Sequence, residues 1–119
     1  MKYMLLMYAD EAIAPHFTPQ EQQSVMRDWQ AYMQEAASAG VLLDNNGLLP
    51  TTNATTVRVR DGKSLTTDGP FAETHEQLGG FSVLECKDLD EAIRWAEKIP
   101  TVKYGSIEIR PLWSPEAMK

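Results

Sequence analysis

The sequence has little of several features that particular protein classes require. It contains one cysteine, Cys86, so no internal disulfide can form. Its longest apolar or aromatic run, positions 3–8, is far shorter than the roughly 20 residues of a membrane-spanning helix. No charged segment followed by an apolar one precedes that run. These absences predict a protein of the reducing cytoplasm that does not enter a membrane.

Basic residues are scarce as well. The 119 residues include 11 Lys and Arg against 17 Asp and Glu, which gives a net charge of −6. Nucleic-acid binding needs concentrated Lys and Arg. The basic cluster Arg58, Arg60 and Lys63 is flanked by Asp61 and Asp68, a pattern typical of a solvated strand face. We therefore expect no nucleic-acid partner.

Signatures of metal, phosphate and nucleophile sites are also missing. The sequence has no H-x-x-x-H pair, no second cysteine, no G-x-S-x-G and no P-loop. The pair Gly79-Gly80 precedes a predicted strand, whereas phosphate sites use a helix N-terminus. Its predicted role is a close backbone approach or a β-bulge. We predict neither a metal nor a cofactor.

Two capped helices are predicted in a single domain that covers residues 1–119. The first begins after Thr18, whose capping box Glu21 completes, and ends at Gly40. The second begins after Asp88 and ends before Pro100. Apolar spacing predicts one buried stripe on each helix. The first stripe comprises Val25, Met26, Trp29, Tyr32, Met33, Ala36 and Ala37, and the second Leu89, Ala92, Ile93, Ala96 and Ile99.

The strands are predicted from apolar runs, from alternation and from turn residues. Residues 3–8 are all apolar or aromatic, so the first strand should be buried on both faces. Asp61-Gly62 predicts a β-hairpin, and residues 44–47 read as a turn. The predicted strands are Lys2 to Tyr8, Val41 to Leu43, Thr55 to Arg60, Lys63 to Thr67, Gly80 to Cys86 and Ser106 to Pro111.

This order of elements is that of a split βαβ, or ferredoxin-like, α+β fold. Such a fold has an antiparallel sheet with two helices on one face. The helices leave the other face bare, although the first strand is apolar on both of its sides. We predict that a second copy of the chain packs on the bare face, giving a homodimer.

The densest motif is Asp68-Gly69-Pro70-Phe71, followed by Ala72-Glu73-Thr74 and by residues 76–81, EQLGGF. With this motif the chain resembles the DGPF-domain branch of the YCII-related family. Further matching segments are 54–58, 88–92 and 108–111, so the resemblance covers nearly the whole chain. It implies a dimeric α/β barrel in which two sheets face each other across a cavity.

The resemblance also implies candidate functions. Members of the wider family have been proposed to be enzymes, because a histidine on the first helix and an aspartate before a proline converge in the cavity. The corresponding positions here hold Trp29 and Ile99, which transfer no proton, so that pair does not carry over. Some DGPF proteins resemble companions of extracytoplasmic-function sigma factors, which implies a regulatory partner.

Three residues of the motif are candidate catalytic groups. Asp68 either bonds the backbone amides of its turn or acts as a general base at the cavity mouth. Glu73 is the second carboxylate, if the turn folds back. His75 is either a proton shuttle or a surface residue. Burial of a titratable group would favour an enzyme, whereas an exposed motif beside an apolar patch would favour an interaction module.

Two arginines are candidate ligand-binding residues. Arg58 and Arg110 lie on predicted strands and would bind a carboxylate if their faces turned into the cavity. Solvent exposure, or an ion pair with Glu108, is the alternative. The sequence thus predicts a homodimer that binds a small organic, acidic ligand, with acid–base chemistry left open. The alternative is a non-catalytic regulatory module that partners a sigma factor.

Overall fold

The structure is a computed structural model, and it describes residues 1–116. Its strands and helices, in chain order, are β1 (Lys2–Ala9), α1 (Pro19–Ser38), β2 (Leu42–Gly47), β3 (Thr55–Arg60), β4 (Lys63–Asp68), β5 (Gln77–Glu85), α2 (Leu89–Ala96) and β6 (Ser106–Pro111). Short 3₁₀ turns lie at Ala14–His16, Thr51–Asn53 and Pro100–Lys103.

A four-stranded antiparallel sheet forms the body of the protein. Its strand order is β2-β5-β1-β6, and both helices pack on one of its faces. Strands β3 and β4 form a separate two-stranded sheet, the predicted hairpin. The predicted mixed α+β architecture, with antiparallel strands and two helices, is confirmed.

The helix boundaries follow from local capping. The Glu21 amide donates to Thr18 Oγ1 at 3.1 Å, and the Thr18 amide donates to Glu21 Oε1 at 3.2 Å. This reciprocal pair satisfies two donors at the start of α1. At α2 the Glu91 amide donates to Asp88 Oδ1 at 2.9 Å. Both predicted caps are confirmed.

The core lies between the helices and one row of β1, made by Tyr3, Leu5 and Met7. The predicted helix stripes are too wide, because each helix touches the sheet along a narrow line. The side chains that are exposed instead of buried lie on one flank of each helix. They are Met26, Met33 and Ala37 on α1 and Leu89 and Ile93 on α2. Tyr32, Ala36, Ala92, Ala96 and Ile99 are buried as predicted.

The opposite face of the sheet, here called the open face, carries no helix. The second row of β1, formed by Met4, Leu6 and Tyr8, lies on it and is half-buried. Phe81 and Val83 of β5 pair with Leu6 and Met4 and share this face. The apolar run at residues 3–8 predicted a strand buried on both faces. In the single chain one face of β1 is buried and the other is half-buried.

Residues 44–47 do not form the predicted turn. Asp44, Asn45 and Asn46 belong to β2 and pair with β5, after a bulge between Leu42 and Asp44. Turn preference acts locally, and here pairing with a strand more than 30 positions away overrides it.

Gly79 and Gly80 make both of the backbone features predicted for them. The register passes from Met7 opposite Gly80 to Tyr8 opposite Leu78, so Gly79 is the extra residue of a bulge. A Cβ on Gly80 would lie 2.9 Å from the Asn46 carbonyl oxygen. Only glycine allows this close approach of β2 to β5.

Candidate functional site

The DGPF segment begins where the hairpin ends. Gly69 adopts a φ of 98°, and its amide donates to the Ala54 carbonyl at 2.7 Å. The Thr56 hydroxyl donates to the Gly69 carbonyl at 2.8 Å. The Asp68 carboxylate forms no hydrogen bond with any residue of 1–116. The expected bonding of the turn by Asp68 is therefore wrong, and the backbone of Gly69 holds the turn instead.

The three candidate catalytic residues do not form one cluster. Asp68 and Glu73 line a shallow groove of about 470 Å³, to which Pro70 and Thr74 also contribute. His75 is not part of the groove lining. All three candidate side chains are exposed. Their catalytic role stays a prediction.

A hydrogen-bond network attaches the end of the motif to the loop after β1. The Glu11 carboxylate accepts from the Thr51 amide and from the Thr51 hydroxyl, each at 2.7 Å. Gln77 accepts from the Glu11 amide at 2.9 Å and donates to the Thr74 carbonyl at 2.6 Å. Sequence reasoning missed Glu11, because its partners lie 40 and 66 positions away.

The two candidate arginines lie on different sheets. Arg58 is exposed on β3 opposite Leu65, and Arg110 is exposed on β6 opposite Met4, on the open face. Within residues 1–116 neither arginine forms an ion pair, so the alternative pairing of Arg110 with Glu108 is not made. Their role in ligand binding stays a prediction.

Glu108 instead accepts a hydrogen bond from the Tyr8 hydroxyl at 3.3 Å. Burial raises the pKa of Tyr8, and the negative charge of Glu108 raises it further, while Arg110 acts in the opposite direction. Arg110 therefore remains on the open face as a cation without a carboxylate partner among the described residues.

A second pocket, of about 340 Å³, lies between α1 and the sheet. We call it the α1–sheet pocket. Trp29 and Met33 of α1 form one wall. The remaining lining residues are Met7, Ala9, Asn45, Asn46, Gly47, Gly79, Gly80 and Thr101. None of these side chains exchanges a proton near neutral pH. Trp29, predicted as core, packs against the core and also lines this pocket.

A hydrogen-bond chain runs from the core to this pocket. The Tyr32 hydroxyl donates to Ser82 Oγ at 3.2 Å, and Ser82 Oγ donates to Asn45 Oδ1. Burial raises the pKa of Tyr32, and the bond to Ser82 opposes that rise. Since Asn45 Oδ1 is occupied, the Asn45 amide presents its NH₂ group, which has no partner among the described residues.

Other kinds of site were sought in the described residues. Residues 1–116 contain no group of three His, Cys, Asp or Glu side chains that could hold a metal ion. Neither α1 nor α2 is both long and apolar enough to cross a membrane. Cys86 is buried, and that burial, with Glu91 nearby, raises the pKa of its thiol to about 11. A thiol of this kind is protonated and unreactive at neutral pH.

Comparison with known proteins gives consistent results. The sequence profile of the YCII-related domain matches residues 1–115. An uncharacterised protein of Rhizobium meliloti strain 1021 is 41% identical over 114 residues, which cover 94% of this chain and 92% of that protein.

Among solved structures, 5-chloro-2-hydroxyhydroquinone dehydrochlorinase from Burkholderia phenoliruptrix AC1100, in complex with 2,5-dihydroxybenzoquinone, matches 98% of each chain. The TM-score is 0.51 and the sequence identity is 12%. At this identity the likeness shows the fold alone.

Proposed function

The chain belongs to the family of YCII-related domains, and we propose that it is a cytoplasmic homodimer that binds a small organic molecule in the α1–sheet pocket. The motif Asp68 to Phe71 supports a place in the DGPF branch of that family. The single observation that carries ligand binding is the pocket itself. Its volume, about 340 Å³, lies at the lower end of the range for small-molecule sites.

The lining of the pocket favours a neutral, ring-sized ligand. Trp29, Met33 and Met7 offer an aromatic face and two polarisable thioethers. The Asn45 amide offers one directed polar contact. Burying an ionised group without a partner is costly, and no charged side chain lines this pocket. A neutral ligand therefore fits it better than the acidic one expected from Arg58 and Arg110.

Binding without acid–base chemistry is the simpler role for this pocket, because its lining contains no general acid or base. A catalytic role for Asp68, Glu73 or His75 requires burial that the single chain does not supply. In our proposal a partner subunit would have to provide it. If chemistry follows binding, the groove shared by Asp68 and Glu73 is where it would occur.

The homodimer is supported by the composition of the open face. Met4, Leu6, Phe81 and Val83 form its centre without cover from α1 or α2. A second copy packed face to face would remove these side chains from water and would produce the two-sheet arrangement of a dimeric α/β barrel. A cavity between the two sheets stays a prediction, separate from the α1–sheet pocket.

Calorimetric titration with two ring-sized probes tests the proposed ligand class. Hydroquinone is neutral at pH 7, whereas 2,5-dihydroxybenzoquinone is ionised. We expect the neutral probe to bind more tightly. Met33→Arg should weaken its binding at least tenfold, because the longer cationic side chain would enter the pocket. Met26→Arg, on the same helix and 63% exposed, is the matched control and should bind as the unmodified protein does. Equal effects of the two variants would contradict the site.

One observation favours the second candidate function, a non-catalytic interaction module. The motif is exposed, and its Phe71 side chain is 77% accessible. Val57 and Val59 of the hairpin are also exposed. A sigma factor of the extracytoplasmic-function class is the proposed partner. Gel filtration of the chain mixed with such a purified factor should show a complex that Phe71→Ser abolishes, and co-elution that is unchanged by Phe71→Ser would count against this surface.

A further inference from the structure

Residues that lie opposite one another on neighbouring strands form rows on the open face. Each complete row crosses all four strands of the sheet. One row consists of Asp44 on β2, Val83 on β5, Met4 on β1 and Arg110 on β6. A negative charge thus stands at one edge of the sheet and a positive charge at the other, with two apolar side chains between them.

The neighbouring rows follow the same strands. Asn46, Phe81, Leu6 and Glu108 form the next row, and Glu85 and Lys2 pair in the row on the other side. The centre of the face is therefore apolar in two successive rows, and its charges lie around that centre.

Rotation by 180° about an axis parallel to the strands, between β5 and β1, keeps each row in place and reverses the order of the strands. Resting on the proposed homodimer, we infer that a second copy covers the open face in this register, with β6 over β2 of its partner. Arg110 then faces Asp44 of the partner subunit, and Met4 faces Val83 of the partner subunit. The symmetry forms each contact twice.

The charges distinguish this register from the other two-fold arrangement. In the chosen register Lys2 also faces Glu85 of the partner subunit, a carboxylate that already forms an ion pair with the Met1 amino group of its own chain at 2.8 Å. An axis perpendicular to the strands would place β6 over the partner's β6. Arg110 would then face Glu108 of the partner subunit, and Lys2 would face Tyr8 of the partner subunit, an uncharged group. Arg110 gains a carboxylate partner in both arrangements, and only the first register also places Lys2 opposite a carboxylate.

The reach of the side chains is sufficient for the edge pair. Packed sheets lie about 10 Å apart, which an arginine and an aspartate extended toward each other can span. Each edge strand lies about 7 Å from the two-fold axis. If the strands of the two sheets cross at about 30°, an edge residue is shifted by about 3.5 Å relative to the residue that it faces. Asp44 Oδ1 already accepts from the Asn45 amide at 2.9 Å and from Asn46 Nδ2 at 2.8 Å, which leaves Oδ2 for Arg110.

Charge reversal measured by analytical ultracentrifugation tests the register. We expect Arg110→Glu and Asp44→Arg each to weaken dimerisation by roughly tenfold or more, because each creates two repulsive contacts. The double variant Asp44→Arg/Arg110→Glu should return the dissociation constant to within about threefold of the original. Arg94→Glu, an exposed change on α2, is the matched control and should have no effect. Circular dichroism of each variant verifies that it is folded.

Four outcomes overturn the inference or the homodimer on which it rests, and they are distinguishable. If the double variant dimerises no more tightly than either single variant, Arg110 and Asp44 do not pair across the dimer. Rescue of Arg110→Glu by Glu108→Arg instead assigns the other axis. An unmodified chain that is monomeric at every concentration refutes the proposed homodimer itself, whereas a dimer insensitive to both reversals refutes only the register.

Discussion

Ser82 is the central link of the buried hydrogen-bond chain that ends at the α1–sheet pocket. Its side chain is fully buried on β5, between the Tyr32 hydroxyl and the Asn45 amide. The change Ser82→Ala removes both bonds at once. It leaves the Tyr32 hydroxyl in the core with no partner, whereas half-buried Asn45 can bind water.

The magnitudes follow from the cost of unpaired polar groups. An unsatisfied buried donor or acceptor costs about 1–3 kcal/mol, so Ser82→Ala should lower the free energy of unfolding by about 2 kcal/mol. Tyr32→Phe removes one hydrogen bond and leaves Ser82 bonded to Asn45, so about 1 kcal/mol is expected. The double variant has no unpaired Tyr32 hydroxyl. Its loss should be at least about 1 kcal/mol smaller than the sum of the single losses.

Urea unfolding followed by circular dichroism at 222 nm measures these differences. All variants must be compared at one protein concentration, because dimerisation contributes to apparent stability. The slope of the free energy against urea should not change, since the surface exposed on unfolding is nearly the same. Losses that add to within about 0.5 kcal/mol would refute the reasoning, because independent sites behave in that way.

Two further predictions concern Gly105 and Cys86. A Cβ on Gly105 would lie 2.1 Å from the Tyr8 carbonyl oxygen, so Gly105→Ala should abolish soluble folded protein. Gly62→Ala, at a φ of 74° with open space around it, should cost only about 1 kcal/mol in thermal unfolding. For Cys86, burial and Glu91 raise the folded pKa to about 11, above the unfolded value of about 8.5. The resulting stabilisation is complete below about pH 8.5 and declines up to about pH 11, and Cys86→Ala should remove this decline.

The features predicted correctly from sequence depend on signals a few residues long. Thr18 and Glu21 define the start of α1 with two reciprocal hydrogen bonds. Asp61 and Gly62 both adopt positive φ, 54° and 74°, as a two-residue hairpin turn requires. These signals involve residues within four positions of one another, and here no pairing with a distant strand competes with them.

The errors lie where distant segments meet. Asp44 and Asn46 have turn preferences, but their strand is formed by β5. The spacing of Trp29 correctly predicts that it packs against the core, but no local signal shows that it also lines a pocket with β2 and β5. Ser82 bonds side chains 37 and 50 positions away, and no local pattern predicts such a contact.

The DGPF motif contributes to the α1–sheet pocket through its backbone rather than through its acidic side chains. Gly69 fixes the base of the hairpin, and Gln77 anchors the returning chain to the loop after β1. These contacts hold the start of β5, where Gly79 forms the bulge and Gly80 approaches β2 to line the pocket. The density of turn-forming residues therefore reflects the path that the chain must follow to build this wall. This backbone path uses neither the carboxylate of Asp68 nor the imidazole of His75.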